Sequence, residues 1–342
     1  MNKIKRSPAL KHSLGAHVDW QPLIAEDSES AAQLFHNQAA LIEKVKGTLS
    51  WLVALVGSWK AAKLLRAYKK HFRERELEQW AQATNCTVDD VLAANLAYEF
   101  SQFASYAGSR LPTLCTSVAC RWHDRIYHFR TLDWLLEGIG PASRELVFTS
   151  VNFTAISWPG FLGVVSGVAP GRFSITLNQA APTRPLNLDG MPPALLIREA
   201  FESCATYSEA VQLLSTRNIA TDCFIMICSF AHASVIEHTA ASRILVTEIH
   251  GDVLASANHR PEDESQKNGW AEPIYDSMLR KQAAEKAGRA AAKGKKQPTV
   301  SSFLHKTICN ESTAQMMLLD PAKGNVSAYW RDTDAACRRL LA

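Results

Sequence analysis

Cys115-Thr116-Ser117-Val118-Ala119-Cys120-Arg121-Trp122-His123-Asp124-Arg125-Ile126-Tyr127-His128-Phe129-Arg130-Thr131-Leu132-Asp133-Trp134 reads as two strand-like runs on either side of His123-Asp124, a pair suited to a tight hairpin. With those two residues as the loop, Trp122 faces Arg125 and Cys115 lies opposite Leu132. Arg130 is then a diagonal neighbour of Cys115, and Asp133 sits beside the start of the first run. A slip of one residue still leaves a thiol, a guanidinium and a carboxylate at one end of the hairpin. A nearby cation lowers a thiol from its ordinary pKa of about 8.5 towards the nucleophilic thiolate. An acid paired with the cation fixes its position. The plain alternative is a buried cysteine above a surface ion pair, since cysteine is commonly buried.

Outward from the hairpin, the chain changes character near Gly108-Ser109-Arg110-Leu111-Pro112. Before it the pattern is helical from about residue 31. Leu34, Ala39, Leu41 and Val45, then Trp51, Leu52, Leu55, Trp59 and Ala62, recur at helical spacing. Thr87-Val88-Asp89-Asp90 reads as a capping box, and residues 1–30 read as irregular. After it come strand-like runs at Leu146–Trp158, Phe161–Val168 and Arg172–Asn178. A helix opens at Pro192-Pro193, and another is capped at Thr206-Tyr207-Ser208-Glu209. Further strands fit Cys223–Phe230, Val235–Thr239, Arg243–His250, Val253–Asn258, Gln315–Leu319 and Val326–Arg331. The Ala- and Lys-rich stretch Arg280–Pro298 reads as an exposed helix. This order predicts an α+β fold of two stacked antiparallel sheets covered by helices.

The 342 residues carry a net charge of +4, with 47% hydrophobic and 20% charged residues, as in ordinary soluble domains. Residues 1–75 hold 13 Lys and Arg against 6 Asp and Glu, a local +7 that leaves the remainder at −3. Such a segment meets anionic surfaces or is simply solvated. No signal-peptide pattern opens the chain, and the apolar run Trp51 to Trp59 is shorter than the roughly 20 residues a bilayer span needs. The cysteines at 86, 115, 120, 204, 223, 228, 309 and 337 lack the dense spacing of a disulfide scaffold. Reduced thiols and a cytoplasmic location are expected.

Cys115-Thr116-Ser117 followed by Arg130-x-x-Asp133 resembles the acid ceramidase and N-acylethanolamine acid amidase family. That family groups with choloylglycine hydrolases and penicillin V acylases among the N-terminal-nucleophile enzymes. Asn95-Leu96-Ala97-Tyr98-Glu99 is similar to the helix that precedes the family's nucleophile. Phe173-Ser174-Ile175-Thr176-Leu177-Asn178 and Ser256-Ala257-Asn258-His259 are similar to two later family elements. The resemblance spans roughly residues 75–335. It implies a four-layer αββα sandwich, with residues 1–114 as a helical pro-segment or α-subunit and 115–342 as the catalytic part.

The resemblance also implies that the chain cuts its own Leu114–Cys115 bond. Cys115 then attacks a linear amide, with an apolar N-acyl group the expected substrate, and its freed α-amine serves as the base. That amine has an unperturbed pKa of about 7.7–8.0, suited to base catalysis near neutral pH, and no separate histidine is required. Asp133 is expected to hold the amine, Arg130 to steady thiolate and carboxylate, and Asn258 to donate to the oxyanion. Asn178 and His259 are further candidates for oxyanion or substrate contact. One departure stands out. Relatives carry an arginine a short way after the Asn element, where this chain reads Arg260-Pro261-Glu262-Asp263-Glu264-Ser265-Gln266-Lys267-Asn268. Arg260 and Lys267 are the available substitutes.

No cofactor, metal or nucleic-acid partner is expected. Cys115/Cys120 and Cys223/Cys228 have an offset that puts strand neighbours on opposite faces, and no phosphate-loop glycine pattern occurs. In residues 51–66, Trp51, Leu55, Trp59 and Leu65 alternate with Lys60, Lys63 and Arg66. Such a stretch packs on the body with a basic edge in water, or makes transient membrane contact. Two other readings remain: an acyltransferase on the same fold, and a non-catalytic binding protein.

Overall fold

The computed structural model describes residues 21–22, 25–27, 58–106, 113–134, 138–158, 160–239, 244–260 and 277–333. The helical pattern expected over 31–57, the Gly108–Pro112 boundary and Lys267 lie outside these residues. Two sheets organise the fold. The six-stranded sheet runs β1 (Gln21–Pro22), β14 (Asn325–Trp330), β13 (Thr313–Asp320), β4 (Arg125–Trp134), β3 (Thr113–Trp122) and β12 (Val253–Ser256). The eight-stranded sheet runs β11 (Ile244–Glu248), β10 (Ala233–His238), β9 (Cys223–Cys228), β8 (Phe173–Gln179), β7 (Ser166–Ala169), β6 (Phe153–Ser157), β5 (Arg144–Phe148) and β2 (Ala25–Asp27). Every pairing is antiparallel except β2 with β5.

Helices close both outer faces. On the eight-stranded side lie α6 (Pro193–Ser203) and α7 (Tyr207–Thr216). On the six-stranded side lies α8 (Ser277–Ala292). The described part of the N-terminal segment forms α1 (Ser58–Tyr68), α2 (Glu74–Thr84), α3 (Val88–Asn95) and α4 (Ala97–Tyr106). A four-residue turn of helix, α5 (Ile139–Ala142), follows β4. The four helices α1–α4 bury Tyr68, Leu77, Leu92, Leu96 and Phe100 with Leu162 and Ala220 of the body. This is the αββα order expected.

Local chemistry sets these elements. Thr87 and Asp90 form the reciprocal cap of α3, and Thr206 and Glu209 that of α7, each satisfying donors that a helix start leaves orphaned. The β3–β4 hairpin turns at His123, whose φ of 54° lies in the left-handed region. Its ring packs edge-on against Trp122, with centroids 4.3 Å apart.

Several expectations need correcting. Residues 146–158 are not one strand but the β5–β6 hairpin, turned at Asn152 with φ 50°, because asparagine tolerates that backbone. In 161–168 only Ser166 onward is strand. The preceding stretch spends its amides elsewhere, Leu162 N–H on Asn95 Oδ1 and Val164 N–H on the Ala194 carbonyl. Residues 21–27 are not wholly irregular, since β1 and β2 add to one edge of each sheet.

The largest correction concerns α8. Its Arg280, Ala284, Gly288 and Ala291 are buried, an i, i+4, i+8, i+11 stripe pressed on β3 and β12. Alanine and glycine there permit close approach: a Cβ at Gly288 would lie 2.9 Å from Val253 Cγ1 and 3.2 Å from Val118 Cγ2. An Ala/Lys composition reads as solvated surface, but its small residues are what this contact needs.

Candidate active site

The β3–β4 register is the one the hairpin spacing predicts: Trp122 opposite Arg125, Cys115 opposite Leu132, and Ser117 opposite Arg130. Paired residues share a face, so Cys115, Ser117, Arg130 and Leu132 point the same way. Leu114 and Asp133, also paired, point the other way. The first face meets the eight-stranded sheet, because Arg130 Nη1 donates to the Val165 carbonyl at 3.0 Å and Nη2 to the Leu177 carbonyl at 2.7 Å. The second meets α8.

Cys115 is the third residue of β3 and almost fully buried. Its sulfur accepts from Arg130 Nη2 at 3.1 Å. Burial pushes the thiol up, while Arg130, by charge and hydrogen bond, and Arg280 pull it down and Asp133 adds to the rise. Desolvation wins, so the thiol holds its proton and needs a base to lose it. Arg130 also donates to Ser166 Oγ. A buried guanidinium with this many acceptors is fixed in place, which a cation serving a sulfur requires.

Asn258, just beyond β12, takes hold of the Cys115 backbone. Its Oδ1 accepts from the Cys115 N–H at 3.0 Å and from Arg280 Nη2 at 2.7 Å, and its Nδ2 donates to the Gln179 carbonyl at 2.7 Å. Two donors on one atom and an acceptor on the other fix which way the amide points. The Asn258 N–H₂ thus lies on a carbonyl oxygen.

Sequence reasoning missed Arg280. Fully buried in α8, it donates from Nη1 to the Cys115 carbonyl at 2.6 Å and to Thr116 Oγ1 at 2.9 Å. It also stands 3.9 Å from Asp133 Oδ2. The only available signal was an arginine at the head of the small-residue stripe. Arg260 does not reach the thiol. It pairs with Asp222 at 2.8 Å and Glu237 at 2.9 Å, and donates to the Ala181 carbonyl. Asp133 accepts from Asn310 Nδ2 at 3.3 Å. Burial raises its carboxyl, opposed first by Arg280 and then by Thr313, Arg331 and Asn310.

The remaining candidates divide. Asn178 Oδ1 accepts from Ser117 Oγ at 2.9 Å, and its Nδ2 donates to the carbonyls of Ser256 and Ala257 at 3.2 Å. His259 Nδ1 lies 2.8 Å from Ser277 Oγ at the start of α8. Cys115 belongs to a large core cluster that also holds Tyr98, Leu132, Trp134, Trp158 and Phe161, with Trp134 edge-on to Trp158 at 5.2 Å and Trp158 stacked on Phe161 at 4.6 Å. Tyr98 belongs to α4, which precedes Cys115 in sequence. Among the described residues no group of three His, Cys, Asp or Glu side chains is placed to hold a metal ion.

No family model matches the chain. Human acid ceramidase is 23% identical over 295 residues, covering 77% of this chain and 71% of that protein. The Caenorhabditis elegans N-acylethanolamine-hydrolyzing acid amidase is 26% identical over 184 residues, covering 49% of this chain and 50% of that one. The solved structure of a Caenorhabditis elegans ortholog of that amidase superposes with a TM-score of 0.51 at 18% identity, over 63% of this chain and 99% of the other. Sequence and fold agree in making the chain a relative of the acid ceramidases and N-acylethanolamine-hydrolyzing acid amidases, with the N-terminal-nucleophile hydrolase fold.

Proposed function

We propose that the chain is a self-processing cysteine amidase that hydrolyses a linear N-acyl amide through a thioester. The observation that carries this reading is the grip on one residue. Arg130 holds the Cys115 sulfur, Asn258 its N–H and Arg280 its carbonyl. Any buried residue needs partners for its N–H and carbonyl, but only a sulfur that is to carry negative charge needs a buried guanidinium on it.

In self-cleavage the thiol attacks the Leu114 carbonyl, and its proton passes to the Cys115 nitrogen as the peptide bond breaks. Leu114 is left as a thioester on Cys115. Water then releases Leu114 as a carboxylate and restores the sulfur. The freed α-amine supplies the base that burial of the thiol makes necessary. It takes the thiol proton as sulfur attacks the substrate carbonyl, and returns it to the departing amine. Water resolves the second thioester to the free acid. Asn258 and Arg280 are assigned as donors to the developing charge, and Asp133, paired with Leu114, as the carboxylate beside the strand end where the amine emerges.

The apolar core that Cys115 shares with Tyr98, Trp134 and Trp158 favours an apolar acyl group, as do relatives named for ceramide and N-acylethanolamine substrates. The test is intact mass under denaturing conditions for the wild type and Cys115→Ala, incubated from mildly acidic to neutral pH. The expected result is two fragments split before Cys115 in the wild type and one chain in the variant. A single chain in both overturns the reading.

A further inference from the structure

Between the two sheets, where an apolar seam is usual, runs a line of buried polar side chains. His128 Nδ1 lies 2.9 Å from Ser174 Oγ, and its Nε2 lies 3.0 Å from Thr176 Oγ1. Thr176 Oγ1 is 2.9 Å from Ser117 Oγ, which is 2.9 Å from Asn178 Oδ1. All five side chains are at most 1% exposed. None of the steps above uses His128.

Proton counting fixes each direction from Asn178 to His128 Nε2. Asn178 Nδ2 faces two carbonyl oxygens, those of Ser256 and Ala257, so the other amide atom must be the oxygen. Ser117 therefore spends its one proton on Asn178. Thr176 must then donate to Ser117, and His128 Nε2 must donate to Thr176. His128 Nδ1 is left bare to accept from Ser174. Each hydroxyl has a single proton, so Nε2 must carry one, and Nδ1 could donate to Ser174 only in a cationic ring, which burial opposes. The ring is neutral, with its proton on Nε2. Burial, with Arg130 nearby, holds its pKa down to about 3.

The line ends on the backbone that carries Asn258. Ser256 is the last residue of β12, paired with Ser117, and Ala257 precedes Asn258. We infer that His128, Thr176, Ser117 and Asn178 are positioning residues, an ordered relay that holds the end of β12 and thereby aims Asn258 at Cys115. The kinetic consequence rests on the proposed amidase, but the positioning does not.

Three readouts test it. In the full-length Cys115→Ala chain, nitrogen-15 NMR of the imidazoles should show His128 neutral and protonated on Nε2 from pH 6 to 8. A ring protonated on Nδ1, or a cationic ring, overturns the relay. In the same chain, adding Thr176→Val removes the central hydroxyl at nearly constant volume. The residue-115 amide, donated to Asn258, should then exchange with solvent faster by ~10-fold or more, the loss of one hydrogen bond's worth of protection. Unchanged exchange overturns the positioning whether or not the chain is an enzyme.

In the chain with Cys115 intact, Thr176→Val should slow self-cleavage and lower kcat by ~10–100-fold with KM within about threefold, as for weakened transition-state contacts. His128→Gln, which keeps a donor towards Thr176, should retain more activity than His128→Leu. Lowered thermal stability with unchanged rates per folded molecule would make the seam structural only. Failure of the wild type to split before Cys115 would sink the amidase reading alone.

Discussion

Arg280 Nη1 lies 2.6 Å from the carbonyl oxygen of Cys115 although 165 residues separate them in sequence. The same guanidinium reaches Asn258 Oδ1 and stands near Asp133, so one side chain ties together Cys115, the residue just beyond β12 and the Asp133 carboxylate. Arg280→Met should therefore act in two ways. Stability should fall by about 3–5 kcal/mol, the usual cost of stranding one partner of a buried charge pair. Self-cleavage should slow by about 10²–10³, as when an oxyanion donor is lost. Thermal melts and the time course of fragment appearance measure the two separately. Lost stability with unimpaired cleavage would confine Arg280 to a structural role.

Gly288 tests whether the site depends on the seating of α8. Its absent side chain lets the helix lie against Val118 and Val253, and its carbonyl lies 3.2 Å from Cys120 Sγ. Gly288→Val should cost about 1–3 kcal/mol by overpacking. Because Arg280 rides on the same helix, self-cleavage should slow as well. Gly288→Ala is the milder step on the same axis, and a series that lowers the melting temperature without touching cleavage would uncouple the helix from the site.

Glu99 predicts a pH dependence of stability. Buried in α4, its carboxyl is pushed up to about 8 by desolvation, so the folded chain binds a proton there that the unfolded chain has released. Stability from this group is greatest below the ordinary glutamate pKa and declines as pH rises towards 8. Glu99→Gln should flatten that decline in denaturant titrations between pH 5 and 8. An unaltered slope would mean that Glu99 titrates normally.

The membrane contact proposed for residues 51–66 has one described landmark. Trp59 is 74% exposed, with Lys63 Nζ 5.9 Å from its ring centroid. Flotation with vesicles containing anionic lipid should show binding at low salt that weakens at high salt, and Trp59→Ala should reduce it severalfold. Absence of binding at low salt would leave the segment as an ordinary solvated edge.

What could be read in advance followed the range of the physics involved. The hairpin register, and with it the meeting of Cys115 and Arg130, follows from a two-residue loop and strand periodicity, both local rules. The layer order followed from the succession of elements. Arg280 and the His128 seam were invisible because each is defined by partners far away in sequence: β3 for one, β8 and β12 for the other. Asp133 shows the limit within a single hairpin. Spacing placed it beside the strand start, but strand alternation turns it to the face opposite the thiol, where its neighbours are Asn310 and Arg280.

Cys115 sits inside a ladder rather than in a loop, with Thr113 and Leu114 still paired to Trp134 and Asp133. Scission there would create a chain end already flanked by β4 on one side and by Asn258, just beyond β12, on the other. Such an end has no search to make. Its amine would appear with neighbours, orientation and distance to the sulfur already set, so the ordering entropy of the base would have been met when the precursor folded. Timing follows as well: base function would switch on with a single covalent event, without a conformational step of its own.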